Sequence, residues 1–150
     1  MTRPLIAVLN GPNLNLLGTR EPALYGAATL DDVEALCAEV GEALDLAIDF
    51  RQTNLEGELI SWVQECRDRA AGLIINPAGY GHTSIALMDA LLILECPIIE
   101  VHLTNIHRRE PFRRHSFTSE AAQGMICGLG ARGYALALQA IAELLQEEAE

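Results

Sequence analysis

Short apolar runs alternating with helical patterns constrain this chain more than any other feature. Leu5-Ile6-Ala7-Val8-Leu9, Gly72-Leu73-Ile74-Ile75-Asn76, Pro97 through Leu103 and Gly124 through Gly128 are brief and mostly apolar. Runs of that length bounded by turn residues read as strands, the first two of them buried. Ala47-Ile48-Asp49-Phe50-Arg51-Gln52 alternates instead, as a strand near a sheet edge does. Between them lie helical spacings: Leu30, Val33, Leu36, Cys37, Val40 and Leu44; then Leu55, Leu59, Ile60, Trp62, Val63 and Cys66. Thr29 with Asp32 three residues on marks a capped helix start. Ile85 to Leu94 is apolar nearly all round, which predicts a helix covered on more than one side. Ala131 to Glu148 closes the chain as a helix. Five strands alternating with helices imply parallel pairing through right-handed crossovers. The expected architecture is a flavodoxin-like, doubly wound five-stranded parallel sheet in three α/β/α layers. At 150 residues, half of them hydrophobic, one domain over 1–150 accounts for the whole length.

Composition then removes function classes. The net charge is −11, which argues against nucleic acid as a partner despite the local cluster Arg108, Arg109, Arg113 and Arg114. All ten basic residues are arginine, so neither a lysine imine nor a phosphate-loop lysine is available. No apolar segment approaches the ~18 residues of a membrane span, and no leader-like segment is expected at the start. Cys37, Cys66, Cys96 and Cys127 are widely spaced, the pattern of buried free thiols in a reducing cytoplasm.

In such sheets ligands sit beyond the carboxyl ends of the strands. Polar side chains collect there. Asn10, Asn13, Arg20 and Tyr25 follow the first strand; Asn76 to His82 follow the third. Glu100, His102 and Thr104 end the fourth, and Asn105, His107, Arg109 and Arg113 follow in the long unpatterned segment 104–123. Each has an ordinary structural explanation, since asparagine satisfies turns and a histidine can bond a carbonyl. Their convergence on one rim is what a purely structural fold does not require. The sequence shows no metal constellation, nucleophile elbow or dinucleotide fingerprint. What remains is a set of donors and acceptors for a hydroxylated ligand, arginine for charge, and Tyr25 and His102 for proton transfer. An ordinary phenol, with pKa about 10, is a poor base at neutral pH; an arginine held close favours the phenolate. A receiver-like module would want an acidic cluster at the ends of the first and third strands, which end in asparagine here, and a lysine near the fifth, where the chain has none. A dehydratase or isomerase acting on another hydroxylated keto acid is the rival enzyme.

The stretches "LNGPNLNLLGTREPALYG", "RQTNLEGELI", "IINPAGYGHTSIALMDAL", "IEVHLTNIHRREPFRRHS" and "ICGLGARGYALAL" together resemble the type II 3-dehydroquinate dehydratases, and in family order they span nearly the whole chain. The resemblance implies a cofactor-free anti-elimination of water from 3-dehydroquinate, through an enolate, in the shikimate pathway. It implies Tyr25 as base, with Arg20 beside it on the same lid. Asn13 would hold a water at the enolate oxygen, His102 would be the acid at the departing hydroxyl, and Glu100 would orient it. It implies Leu103 and Thr104 at the substrate carboxylate and Asn76, His82 and Arg113 at ring hydroxyls. Asp89 would reach the site from a neighbouring subunit, in trimers that associate into dodecamers. Thr104 stands where the family commonly carries serine, which keeps the hydroxyl and adds a methyl.

Overall fold

A computed structural model describes residues 2–19 and 21–150; Met1 and Arg20 lie outside the described residues. The strands are β1 (Leu5–Asn10), β2 (Ala47–Gln52), β3 (Gly72–Asn76), β4 (Ile98–His102) and β5 (Gly124–Cys127). They form one sheet in the order β2-β1-β3-β4-β5, parallel throughout. The helices are α1 (Pro22–Tyr25), α2 (Leu30–Ala43), α3 (Glu56–Arg69), α4 (Ile85–Leu92) and α5 (Arg132–Ala149).

Strand alternation divides the core in two. Ile6, Val8, Ile74, Ile99 and Val101 face α2 and α5, whose Val33, Cys37, Tyr134, Leu138 and Ile141 are buried against them. Ala7, Leu9, Leu73, Ile75 and Ile98 face α3 and α4 through Leu59, Val63, Leu87 and Leu91. This is the three-layer, flavodoxin-like fold that the sequence pattern implies. The start of α2 is the capping box expected at Thr29. Its hydroxyl accepts from the Asp32 backbone N–H at 3.2 Å, and the Asp32 carboxylate accepts from the Thr29 N–H at 2.9 Å.

Two local expectations are corrected, the end of α4 and the burial of two cysteines, and the unpatterned segment takes a defined form. The helix expected to reach Leu94 ends at Leu92; within the single chain Ile85 is 53% exposed, Leu92 58% and the following Ile93 53%. Its apolar residues run all round, but the sheet, α3 and the turn at Thr118–Ala121 meet the face of Leu87, Ala90 and Leu91. Cys37 and Cys66 are buried, with burial pushing their thiols up to about 12 and about 11, whereas Cys96 and Cys127 are half-buried. The segment 104–123, without a pattern in sequence, folds as three short 3₁₀ turns, Ile106–Arg108, Pro111–Arg113 and Thr118–Ala121. No helix among the described residues is long and apolar enough to cross a membrane.

Candidate active site

β1 and β3 are neighbours whose onward connections run to opposite sides of the sheet. A crevice opens between their carboxyl ends, where the strand order reverses. The two loops leaving it touch directly. The Gly11 N–H donates to the Asn76 carbonyl at 2.8 Å, and a Cβ on Gly11 would lie 2.5 Å from the Pro77 carbonyl oxygen. Only glycine permits that approach.

Asn13 follows with φ +70°, a left-handed conformation that asparagine tolerates better than most residues. Its backbone is braced from β2: the Asn13 N–H donates to Asn54 Oδ1 at 3.0 Å, and Gln52 Nε2 donates to the same oxygen and to the Gly11 carbonyl, both at 3.1 Å. The Tyr80 hydroxyl donates to the Asn54 carbonyl at 2.7 Å and so joins the third-strand loop to this brace.

Below the loops a buried triad ties the strand ends to α5. The Tyr134 hydroxyl donates to Asn10 Oδ1 at 2.7 Å and accepts from Asn76 Nδ2 at 2.9 Å. Asn10 Nδ2 donates to the Arg51 carbonyl, and Asn76 Oδ1 accepts from the Ala78 N–H. Asn10 therefore belongs to the scaffold beneath the rim.

The cleft above is lined by Asn13, Tyr25, Asn76, His82, His102, Leu103, Thr104, Arg109 and Arg113, together with Pro12, Leu14, Ala78, Gly79 and Ile106. Of the residues to which the resemblance gives a role, the cleft gathers all but Arg20, Glu100 and Asp89; Asn10, Asn105 and His107, also singled out from the sequence, do not line it. Arg20 lies outside the described residues. Glu100 stands behind His102, fully buried. Asp89 is exposed on α4 and does not line the cleft of its own chain.

His102 Nε2 is 2.6 Å from Glu100 Oε2 and donates to it, which leaves Nδ1 as the nitrogen able to exchange a proton. Burial pulls the Glu100 carboxyl upward. The hydrogen bond and charge of His102, with hydrogen bonds from Thr118 and Ser116, outweigh it and hold the group below the usual carboxylate range. His82 is stacked on His102, ring centroids 6.0 Å apart, and its Nδ1–H donates to the His115 carbonyl at 2.8 Å. Burial lowers the His82 pKa, and the charges of His102 and Arg113 add to that, against the His115 hydrogen bond and Glu100. The Arg109 guanidinium carbon lies 5.3 Å from the Tyr25 ring centroid, a cation–π contact, and its Nη1 is 3.4 Å from Thr104 Oγ1. Arg113 donates from Nε to Glu110.

Sequence reasoning placed Arg109 on the rim without a contact of its own, and gave no role to Ser116 or Thr118. Their approach to Glu100 is a tertiary contact across 16 and 18 positions, which no local pattern signals.

An open α/β sheet that brings a buried histidine–carboxylate pair and a tyrosine to one strand-end cleft has the groups that proton transfer requires. Residues 4–142 match the model of the class II dehydroquinase family. The chain is 60% identical over 147 residues to 3-dehydroquinate dehydratase 2 of Pseudomonas putida, covering 98% of this chain and 99% of that one. It is 56% identical over 143 residues to the 3-dehydroquinate dehydratase of Brucella canis, covering 95% and 91% respectively. The crystal structure of type II dehydroquinase from Propionibacterium acnes superposes with a TM-score of 0.91 at 46% identity, covering 95% of this chain and 98% of that one. The chain belongs to the class II dehydroquinase family.

Proposed function

We propose that this chain is a type II 3-dehydroquinate dehydratase of the shikimate pathway, acting without a cofactor by anti-elimination through an enolate. The observation that carries the reading is the placement of Tyr25 and His102 on the walls of one cleft, with His102 backed by Glu100. The Tyr25 phenolate takes the proton from the carbon beside the substrate ketone. The electron pair moves onto the ketone oxygen, forming an enolate that a water held by Asn13 stabilises. Collapse of the enolate expels the hydroxyl, which takes a proton from Nδ1 of the His102 imidazolium and leaves as water. Glu100 stabilises that imidazolium and fixes its ring. Arg20 is assigned beside Tyr25 by resemblance, as the cation that favours the phenolate. Leu103 and Thr104 hold the substrate carboxylate, with His82, Asn76 and Arg113 at the ring hydroxyls. The Asn76 amide already serves Tyr134 and Ala78, so it offers substrate its second N–H.

Incubation with 3-dehydroquinate should raise the ultraviolet absorbance of the conjugated enone product. Tyr25→Phe and His102→Ala should each lower kcat by about 10²- to 10⁴-fold with the fold retained. A folded Tyr25→Phe enzyme with near-normal kcat would remove Tyr25 from the role of base.

The reading extends to a single catalytic domain over 1–150 and to assembly into trimers and then a dodecamer. The exposed Ile85, Leu92 and Ile93 support a second copy of this chain as the cover of α4, with Asp89 on the same helix directed at the neighbour's cleft. Asp89→Arg should break assembly and activity together; sedimentation read beside the enone assay tests this, and a fully active monomer would refute it. Free thiols suit a cytoplasmic setting.

A further inference from the structure

One four-residue stretch, His115 to Thr118, reaches both imidazoles of the cleft. The His115 carbonyl accepts from His82 Nδ1–H at 2.8 Å, which fixes Nε2 of that ring as the atom facing outward. The Ser116 hydroxyl lies 2.7 Å from Glu100 Oε2, the same oxygen that His102 Nε2 approaches, and the Thr118 hydroxyl donates to Glu100 Oε1. All four side chains are buried: Glu100 and Thr118 are 0% exposed, His102 and Ser116 5%.

Proton counting shows what this arrangement favours. Glu100 meets three donors: the His102 N–H and one hydroxyl proton each from Ser116 and Thr118. A carboxylate accepts all three, whereas a carboxylic acid would have to turn one hydroxyl round to accept. Ser116 is itself locked, because its Oγ also accepts from the Ser119 N–H at 3.2 Å. The two hydroxyl oxygens stand 3.1 Å apart while each spends its proton on Glu100. The stretch is pinned to the loop carrying His82 by the Phe117 N–H, which donates to the Gly81 carbonyl at 2.8 Å. Position 81 must be small: a Cβ there would lie 2.9 Å from Pro77 Cγ and 3.2 Å from Thr118 Oγ1.

We propose that Ser116 and Thr118 are positioning residues for the reaction, acting through Glu100 to keep His102 oriented and supplied with a counter-charge. The proposal rests on the reading of His102 as the acid. Neither hydroxyl lines the cleft, so neither meets substrate. The charged and titratable groups around Glu100 are few. His102 shares its strand, His82 stacks on His102 from the third-strand loop, and Arg113 acts on His82 from the 3₁₀ turn before this stretch. Met125 of β5 and Ile75 of β3 are its uncharged partners across the sheet. His115 and Glu120 are exposed and lie 3.7 Å from each other.

The test is the pH profile of kcat for Ser116→Ala, Thr118→Val and the double variant, with Thr118→Ser as the conservative control. Losing a donor makes the buried carboxylate easier to protonate. Loss of the charged Glu100 should therefore set in about one pH unit higher per hydroxyl, so that the low-pH side of the profile, which also carries protonation of Tyr25, moves up and kcat there falls about tenfold further for each. KM should stay close to that of the parent enzyme, and Thr118→Ser should restore the parent profile. NMR titration of the His102 ring in each folded variant reads the same shift without turnover. Should Thr118→Val not fold, Ser116→Ala and the serine variant carry the comparison. A lower kcat with unmoved limbs, or no change at all, overturns the proposal. Glu100→Gln and His102→Ala separate the two levels. If both keep near-parent kcat, the acid assignment itself fails; if both lose it while the hydroxyl variants do not move the limbs, only the positioning role fails.

Discussion

Tyr134→Phe removes one oxygen atom from the interior, and the structure fixes what that costs. Among the described residues the hydroxyl links Asn10 Oδ1 to Asn76 Nδ2, at 2.7 and 2.9 Å. Tyr134 and Asn10 are fully buried, so water does not reach the stranded Asn10 Oδ1, whereas Asn76, 2% exposed, keeps its second N–H toward the cleft. Leaving a buried donor or acceptor unsatisfied costs about 1–3 kcal/mol. Two such groups, partly relieved by relaxation, give about 2–4 kcal/mol. In a chain of this length each kcal/mol corresponds to about 2–4 °C, so the melting temperature should fall by about 4–16 °C. Burial pushes the Tyr134 phenol up, so the group stays a neutral donor and the loss should be flat across about pH 6 to 9. Urea unfolding followed by circular dichroism, at one fixed protein concentration, measures the difference. A loss below about 0.5 kcal/mol, the size of an ordinary surface substitution, would mean that the amides find other partners, and the reasoning from unsatisfied groups would fail.

Thr29→Ala should cost about 1 kcal/mol by breaking the capping box of α2, with little change in kcat; the same unfolding assay reads it. The folded Glu100 carboxyl titrates below its ordinary 4.5, so its contribution to stability is full above that value and is lost as pH falls through the lower one. Glu100→Gln should flatten that acid arm of a stability–pH curve. His82 is depressed below its ordinary 6.5, so the unfolded chain takes up a proton that the folded chain resists. Stability should therefore decline as pH drops below about 6.5, and His82→Asn should remove that slope.

The sheet was legible because buried parallel strands write themselves as apolar runs, and Gly72–Asn76 stands where its run places it. The edge position of β2 followed from its alternation. The helix at Ile85 was legible as apolar but not as uncovered, since a sequence does not say which faces its own sheet can reach. At the cleft, strand-end residues could be gathered by type, yet Asn10 looks the same in sequence whether it faces a ligand or holds a tyrosine 124 positions away. The hydroxyls of Ser116 and Thr118 carried no signal, because their meaning lies in which carboxylate they meet.

The tie through Tyr134 also has a temporal side. The amides of Asn10 and Asn76 leave β1 and β3, but the hydroxyl that joins them is carried 124 and 58 positions further along the chain. During synthesis the first three strands can pair before that residue exists, since domains are made from the amino end onward. Until the closing helix docks, the crevice between β1 and β3 has its walls but not its floor brace. A nascent chain halted before residue 134 should therefore leave the two amides to water and bare the apolar sheet face of Val8, Ile74 and Val101 that the closing helix covers, the kind of surface on which chaperone contact acts.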